Sequence, residues 1–223
     1  AHEPVIDFVK QVTDRPVVGV GRFTSPDTMV SQIKRGVLDL IGGARPSIAD
    51  PFLPNKVREG REDEIRECIG CNICISSWHD GVPVRCTQNA TAGEEWRKGW
   101  HPEKFDSPGS NDRILIVGGG PAGLEAALVA AKRGYRVAIA DKASEMGGRL
   151  LFETGLPGLN SWSRVQDYRL YALQQMGNVD IYTDSELGVE EVLGLEYQRV
   201  AIATGARWTR SLYSSLEIPV GEL

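Results

Sequence analysis

The chain has 223 residues and a formal net charge of −5, with 41% hydrophobic and 25% charged residues. This length and composition are typical of an ordinary soluble protein of one or two domains. The acidic balance argues against nucleic acid as a partner, and no apolar run reaches the ~18 residues that a membrane-spanning helix requires.

The N-terminal segment predicts two strand–helix units. Residues 16–21 form a short apolar run that ends in glycine, which is typical of a buried parallel strand. A helix over residues 27–35 follows, with Ser25 as its N-cap and Gly36 at its C-terminal end. A second strand is predicted at residues 38–41. Because two such units leave sheet edges uncovered, we expect this segment to be incomplete by itself and the chain to be a fragment.

All cysteines of the chain lie in one short stretch, as Cys68, Cys71, Cys74 and Cys86. Three thiolates at this spacing, with a fourth a short loop later, suit the corners of a 4Fe–4S cluster. Gly70 permits a tight loop in which the first three sulfur atoms converge. The pattern therefore predicts an iron–sulfur cluster.

A structural zinc site and a pair of disulfides are the alternatives for these cysteines. Structural zinc sites usually take their ligands as two separated pairs, and this chain has a triplet and a single cysteine. Disulfides require an oxidising compartment, and no secretory hydrophobic segment indicates one, so we expect a cytoplasmic location. A cluster would organise residues 61–105, where we expect little regular structure.

After a polar, Pro- and Gly-rich linker at residues 105–112, the pattern becomes that of a nucleotide-binding unit. A strand is predicted at residues 113–117, a helix at 124–133 and a second strand at 135–140, which ends at Asp141. A G-x-G-x-x-G sequence joins the first strand to the helix. This order of elements predicts a dinucleotide or ADP site.

Each part of this motif has a mechanical role. Gly118 allows a tight turn, Gly120 lets the backbone approach a pyrophosphate, and Gly123 lets helix and strand pack closely. The phosphates lie at the positive end of the helix, and Asp141 accepts hydrogen bonds from ribose hydroxyls. An acid at this position favours a free 2′-hydroxyl over a 2′-phosphate. A glycine-rich turn without a ligand is the alternative.

Two further segments are candidates for contact with the nucleotide. Arg149 follows a pair of glycines and is placed to bring a guanidinium towards the ligand, although a solvated loop charge explains it equally well. Thr204 and Gly205 end an apolar strand in a turn of small residues, which permits close approach of a ligand.

Four stretches of the chain resemble the iron–sulfur flavoprotein amine dehydrogenases, namely trimethylamine, dimethylamine and histamine dehydrogenases. The most specific stretch is residues 68–105, which carries the cysteines. Residues 19–23 (Gly-Val-Gly-Arg-Phe), 44–54 (Ala-Arg-Pro-Ser-Ile-Ala-Asp-Pro-Phe-Leu-Pro) and 203–208 (Ala-Thr-Gly-Ala-Arg-Trp) also match. The resemblance covers the chain except for about its last dozen residues.

The resemblance implies an α/β fold in three parts. These are the last two β/α units of a (β/α)₈ FMN barrel in residues 1–60, a 4Fe–4S segment in 61–108, and an ADP- or FAD-binding Rossmann-like domain in 109–223. The earlier barrel units and a later part of the protein are then expected to lie outside this chain.

The resemblance also assigns cofactor contacts. Barrels of this kind bind phosphate in the loops after strands 7 and 8, so the implied FMN-phosphate residues are Gly21, Arg22, Ala44 and Arg45. The four cysteines are implied to ligate the cluster beside the flavin. The motif glycines and Asp141 are implied to bind ADP, which these dehydrogenases carry where related reductases carry FAD.

Trp78 matches a tryptophan that in this family helps to form an aromatic bowl over the substrate. Indole faces attract an alkylated ammonium through cation–π interaction, worth about 2 kcal/mol once desolvated. Packing of the cysteine loop against water is the alternative role. The loop after Trp78 is one residue shorter than in the trimethylamine enzyme, so the alkyl pattern of the substrate is left open.

The implied reaction is oxidative dealkylation or deamination of an amine through FMN. Electrons then pass singly through the cluster to an external carrier, which in this family is typically an electron-transferring flavoprotein, and the full-length protein is expected to be a homodimer. Two alternatives are an NAD(P)H-dependent enoate or dienoyl-CoA reductase, which shares these parts, and a non-catalytic electron-transfer subunit.

Overall fold

A computed structural model describes residues 3–100 and 103–206 of the chain. Its helices are α1 (Glu3–Ile6), α2 (Pro26–Lys34), α3 (Ala44–Ala49), α4 (Leu53–Arg58), α5 (Ile73–His79), α6 (Glu95–Lys98), α7 (Pro121–Lys132), α8 (Leu150–Glu153), α9 (Arg164–Gln174) and α10 (Val189–Gly194). Its strands are β1 (Val18–Gly19), β2 (Leu40–Ile41), β3 (Arg113–Val117), β4 (Arg136–Ala140), β5 (Val179–Tyr182) and β6 (Arg199–Ile202).

Strands β1 and β2 form a small parallel sheet, in which Val18 pairs with Leu40. Both strands are shorter than the sequence predicts, whereas α2 begins directly after Ser25 and ends before Gly36, which has a φ of 70°. Helix α2 connects the two strands, and a small buried cluster centred on Leu38 fills the space beneath them. The N-terminal segment is therefore two parallel β/α units.

A second parallel sheet has the strand order β5-β4-β3-β6. Alternate residues of β3 point to opposite faces, so that Ile116 packs against α7 and Leu115 packs against residues of and around α10. Burial on both faces is the reason that β3 and β4 are continuous apolar runs. The α/β class with parallel sheets is thus confirmed.

The predicted strand–helix–strand order at residues 113–140 is confirmed, with β3, α7 and β4 within a few residues of the expected bounds. Residues 150–198 form α8, α9, β5 and α10, which are additions to the predicted elements. The cysteine segment has little regular structure, as expected, but α5 and α6 interrupt it. No helix within the described ranges combines the length and apolarity needed to cross a membrane.

Candidate functional site

The four cysteines lie around one turn and the helix that follows it. Cys68 and Cys71 belong to the turn, Cys74 is in the first turn of α5, and Cys86 lies in the returning loop. Cys74 is buried, the other three are half-buried, and all four are free thiols. The disulfide alternative therefore has no support in the structure.

Two residues in the left-handed region shape the turn. Gly70 has a φ of 71°, and Asn72, which precedes α5 as its N-cap residue, has a φ of 62°. A side chain at position 70 would collide with the guanidinium of Arg22. Glycine, and the asparagine that tolerates this conformation, therefore let the chain reverse between the cysteines.

Several hydrogen-bond donors face the sulfur atoms. The Gly70 N–H lies 3.4 Å from Sγ of Cys68, and the Thr87 hydroxyl lies 3.2 Å from Sγ of Cys71. Burial raises the pKa of the Cys86 thiol, while backbone N–H groups of Asn89 and Gln88 act in the opposite direction. Hydrogen bonds of this kind favour thiolates and tune the potential of an iron–sulfur cluster.

The spacing of the thiols bears on the choice between zinc and a cluster. Within the described residues, no group of three or more His, Cys, Asp or Glu side chains is placed to hold a metal ion. A zinc site needs its ligands to converge on one ion, whereas a cluster takes each thiolate at a different iron atom. The structure therefore shows no converging set of metal ligands within the described residues, and the preference for a cluster rests on the order of the cysteines, a triplet and a single one.

Arginines from the N-terminal units hold this turn. The Arg22 guanidinium donates a hydrogen bond to the carbonyl of Gly70, and Nη1 of Arg45 donates one of 2.7 Å to Oδ1 of Asn72. The two arginines come after the carboxyl ends of β1 and β2. Because these strands are parallel, both carboxyl ends lie at the same edge of the small sheet. Gly21 is buried beside Arg22. Both of the arginines predicted to bind phosphate therefore contact the turn that carries Cys68 and Cys71.

The nucleotide-binding unit also reaches the cysteine turn, through Arg164 at the start of α9. Its Nη1 donates a hydrogen bond to the carbonyl of Cys68 and another to Oγ1 of Thr24, each with a length of 3.1 Å. Its Nε lies 2.7 Å from a carboxylate oxygen of Glu67. Burial raises the pKa of the Glu67 carboxyl, and the charge of Arg164 partly opposes this. Arg164 thus joins all three parts of the chain.

A second arginine of α9 forms a buried network behind Cys86. Arg169 is 3% exposed, and its Nε lies 2.6 Å from the carboxylate of Glu125 on α7. Its Nη1 donates a hydrogen bond of 3.0 Å to the side-chain oxygen of Gln88. The Gln88 amide donates in turn to the carbonyls of Glu67 and Arg164. The sequence carries no signal for this network, since neither Arg164 nor Arg169 belongs to a motif that separates it from a surface charge.

The glycine-rich turn has the close contacts that its motif predicts. Gly118 has a φ of 111°, and a side chain there would collide with the carbonyl of Ala203. A side chain at Gly123 would meet the carbonyl of Gly118, so α7 lies close against β3. A Cβ at Gly120 would meet only Cα of Gly148, at 3.9 Å. The backbone at Gly120 is therefore open to a ligand.

Asp141 lies beside this turn and lines a cavity of about 200 Å³ that also borders on Gly118 and Thr204. One of its carboxylate oxygens accepts a hydrogen bond from the Gly119 N–H, and the other accepts one of 2.8 Å from the Ala143 N–H. A carboxylate oxygen can accept more than one hydrogen bond. Asp141 therefore orients the glycine-rich turn and still has lone pairs for a ribose.

The remaining predicted site residues lie at the surface. Nε of Arg149 is 2.7 Å from the carboxylate of Glu153, one turn later. Gly205 has a φ of 89° and follows Thr204 at the end of β6. Trp78 is 68% exposed on α5, with its ring 5.0 Å from that of His79 in an edge-on arrangement. Residues 207–208, at the end of one stretch of resemblance, lie outside the described residues.

Comparison with known proteins supports the family resemblance. Residues 2–64 match the model of the NADH:flavin oxidoreductase / NADH oxidase family, and residues 113–164 match that of an FAD binding domain. Over 216 residues the chain is 50% identical to dimethylamine dehydrogenase of Hyphomicrobium sp. (strain x), which covers 94% of the chain.

Two solved structures superpose closely on the chain. One is the 6-hydroxypseudooxynicotine amine oxidase of Pseudomonas geniculata N1, with 62% identity, a TM-score of 0.89 and 93% of this chain covered. The other is the histamine dehydrogenase of Rhizobium sp. 4-9, with 54% identity, a TM-score of 0.89 and 94% covered. The chain spans 29% of the curated relative and 31% and 30% of the two structures. The resemblance to the amine dehydrogenases is thus confirmed for this portion of their length.

Proposed function

We propose that this chain is the redox portion of an enzyme that oxidises an amine, since it is related over nearly all its length to flavin-dependent amine dehydrogenases. This portion joins the FMN-phosphate site, the 4Fe–4S cluster and an adenine-nucleotide site. The observation that carries the proposal is the position of the cysteine turn. Arginines that follow β1 and β2 hold it on one side, and Arg164 of the nucleotide-binding unit holds it on the other.

Cys68, Cys71, Cys74 and Cys86 are proposed as the ligands of the cluster. The left-handed residues Gly70 and Asn72 orient the first three, and the donors from residues 70 and 87–89 stabilise the negative charge on sulfur.

The FMN phosphate is proposed to bind at Gly21, Arg22, Ala44 and Arg45. Two guanidinium groups at one edge of a parallel sheet supply charge-assisted hydrogen bonds in the manner of phosphate sites in barrels. This assignment treats residues 1–60 as the last two units of a (β/α)₈ barrel, followed by the cluster segment (61–108) and the nucleotide-binding domain (109–223).

ADP, or FAD in its place, is proposed to bind at Gly118, Gly120, Gly123 and Asp141. The open backbone at Gly120 leaves room for a pyrophosphate at the N-terminus of α7, and Asp141 lies beside the turn for the ribose hydroxyls. Thr204 and Gly205 border this site. Arg149 is placed beside it as a candidate, with its Nε paired to Glu153.

The substrate is proposed to be an alkylated amine that contacts the face of Trp78. An alkylammonium ion has few N–H groups with which to donate hydrogen bonds. Cation–π attraction to the face of an exposed indole can bind such an ion without them. Bound FMN would supply the two-electron oxidation of the amine and the cluster the single-electron transfer onward. An electron-transferring flavoprotein is the proposed acceptor, and a homodimer in the cytoplasm is the proposed form of the enzyme.

Anaerobic purification of the enzyme that contains this chain tests the proposal. We expect four iron atoms and four acid-labile sulfides per cluster, by the definition of this cluster type. Addition of methylated amines should bleach the flavin and reduce the cluster, as seen by absorbance and electron paramagnetic resonance. Colourless protein without iron or labile sulfide would contradict it.

An NAD(P)H-dependent reductase is the second candidate, since residues 2–64 match a family named for NADH:flavin oxidoreductases. The same bleaching experiment separates the two. Reduction of the flavin by NADH or NADPH, with no reduction by amines, would favour the reductase.

A further inference from the structure

The two arginines at the sheet edge contact parts of the cysteine turn that set its conformation. Arg22 donates to the carbonyl of Gly70, and Arg45 donates to the amide oxygen of Asn72. Gly70 and Asn72 are the two residues of this turn with positive φ. Each arginine therefore holds the turn at a point where its backbone departs from common conformations.

Each contact described above engages one N–H group of a guanidinium that offers five in a fixed planar fork. One guanidinium can thus bind the turn and a phosphate oxygen at the same time. Arg22 itself has a φ of 59°, which is uncommon for a residue with a side chain. That backbone conformation directs its side chain to the cysteine turn, where it also excludes any side chain at position 70.

We propose that Arg22 and Arg45 couple the FMN-phosphate site to the cysteine turn. Phosphate bound to the two guanidinium groups then slows the release of iron from the cluster that the turn holds. The proposal rests on the function proposed above. A bound phosphate restricts the rotamers of both guanidinium groups. Gly70 and Asn72 then keep their partners, and the cysteines between and beside them keep their positions.

The coupling must act in both directions, because an effect of one site on the affinity of another is reciprocal. The Arg45–Asn72 pair is the better one to test, since both partners are side chains. Asn72→Gly removes the acceptor but keeps a residue that adopts positive φ readily. Asn72→Asp keeps an acceptor for Arg45 and serves as the matched control.

The experiment uses the whole enzyme produced in a riboflavin-limited host and separated into FMN-containing and FMN-free fractions. The measured quantity is the rate of iron release to a ferrous chelator under anaerobic conditions. We expect the FMN-free fraction to release iron about tenfold faster, which corresponds to a barrier lowered by about 1.4 kcal/mol. Asn72→Gly should bring the two rates close together, whereas Asn72→Asp should keep most of the difference.

Arg22→Lys gives an independent check of the second arginine. A lysine retains the positive charge for phosphate, but it lacks the planar fork that serves phosphate and carbonyl together. The difference in release rate between the FMN-containing and FMN-free fractions of this variant should be smaller than in the wild-type enzyme, and a full difference would overturn the role of Arg22. The electron paramagnetic resonance spectrum of the reduced cluster should also change in Arg22→Lys and Asn72→Gly and stay unchanged in Asn72→Asp.

Equal rates in the two fractions of the wild-type enzyme would overturn the coupling and leave the proposed function standing. The coupling would also be overturned if Asn72→Gly kept the full difference. A wild-type enzyme that contains no iron or no flavin would overturn both proposals together.

Discussion

Nη1 of Arg164 lies 3.1 Å from the carbonyl oxygen of Cys68, although 96 positions separate the two residues in the sequence. The same guanidinium bonds Thr24 of the first β/α unit. The cysteine turn is therefore held between two folded units, and its geometry depends on both.

Replacement of Cys71 by alanine should abolish the cluster. One of four ligands is lost, so that one iron atom of the cluster is left without a thiolate. We expect iron and acid-labile sulfide to fall close to background in the purified enzyme. Ser76→Ala on the exposed side of α5 is the control, and full iron content in Cys71→Ala would rule out the assignment of this ligand.

Asp141→Ala should weaken ADP binding by about 1–3 kcal/mol, the value of hydrogen bonds to a charged group. Asp141→Asn should lose less, since one oxygen remains to accept the N–H of Gly119 or Ala143. Isothermal titration calorimetry measures both. Asp180→Asn, on the exposed side of β5, is the control, and equal affinity in all variants would remove Asp141 from the nucleotide site.

Trp78→Leu should impair alkylammonium substrates more than neutral amines of similar size. The difference should approach about 2 kcal/mol, the value of a desolvated cation–π contact. The comparison is of kcat/KM for the two substrate classes in the whole enzyme. Trp96→Leu changes another exposed tryptophan and serves as the control. A uniform loss for both classes would reduce Trp78 to a packing residue.

Arg169→Met should lower the free energy of unfolding by about 3 kcal/mol, because it leaves Glu125 and Gln88 without a buried partner. Chemical denaturation followed by circular dichroism measures the change. Arg199→Met removes an exposed ion pair with Asp112 and should leave stability nearly unchanged. Similar small effects for both variants would show that the Arg169 network contributes little.

Gly123→Ala should cost about 1–3 kcal/mol of stability and reduce nucleotide binding, because its Cβ would collide with the carbonyl of Gly118. Gly109→Ala is the matched control, since no atom lies within 4 Å of a Cβ built there. Thermal unfolding and ADP titration give the two readouts. A Gly123→Ala variant with wild-type stability would show that α7 and β3 can separate without cost.

Local sequence signals were sufficient for the parts of the fold that depend on neighbouring residues. The apolar run of β3, the glycines after it and Gly134, at a φ of 100° after α7, are all encoded within a few positions. The bounds of α2 are also encoded locally, by Ser25 before the helix and Gly36 after it. The unpredicted helix α5 starts directly after Asn72, a boundary that depends on a left-handed residue held by Arg45.

The order of residue types along the chain encodes the chemistry available to this protein: a triplet and a single cysteine, a strand–glycine–helix unit, and arginines after two short strands. These signals are local because they follow from the spacing of residue types along the backbone. Which of these groups meet depends on how the whole chain folds. Arg22, Arg45, Arg164 and Arg169 each acquire their partners through long-range packing that no local pattern encodes.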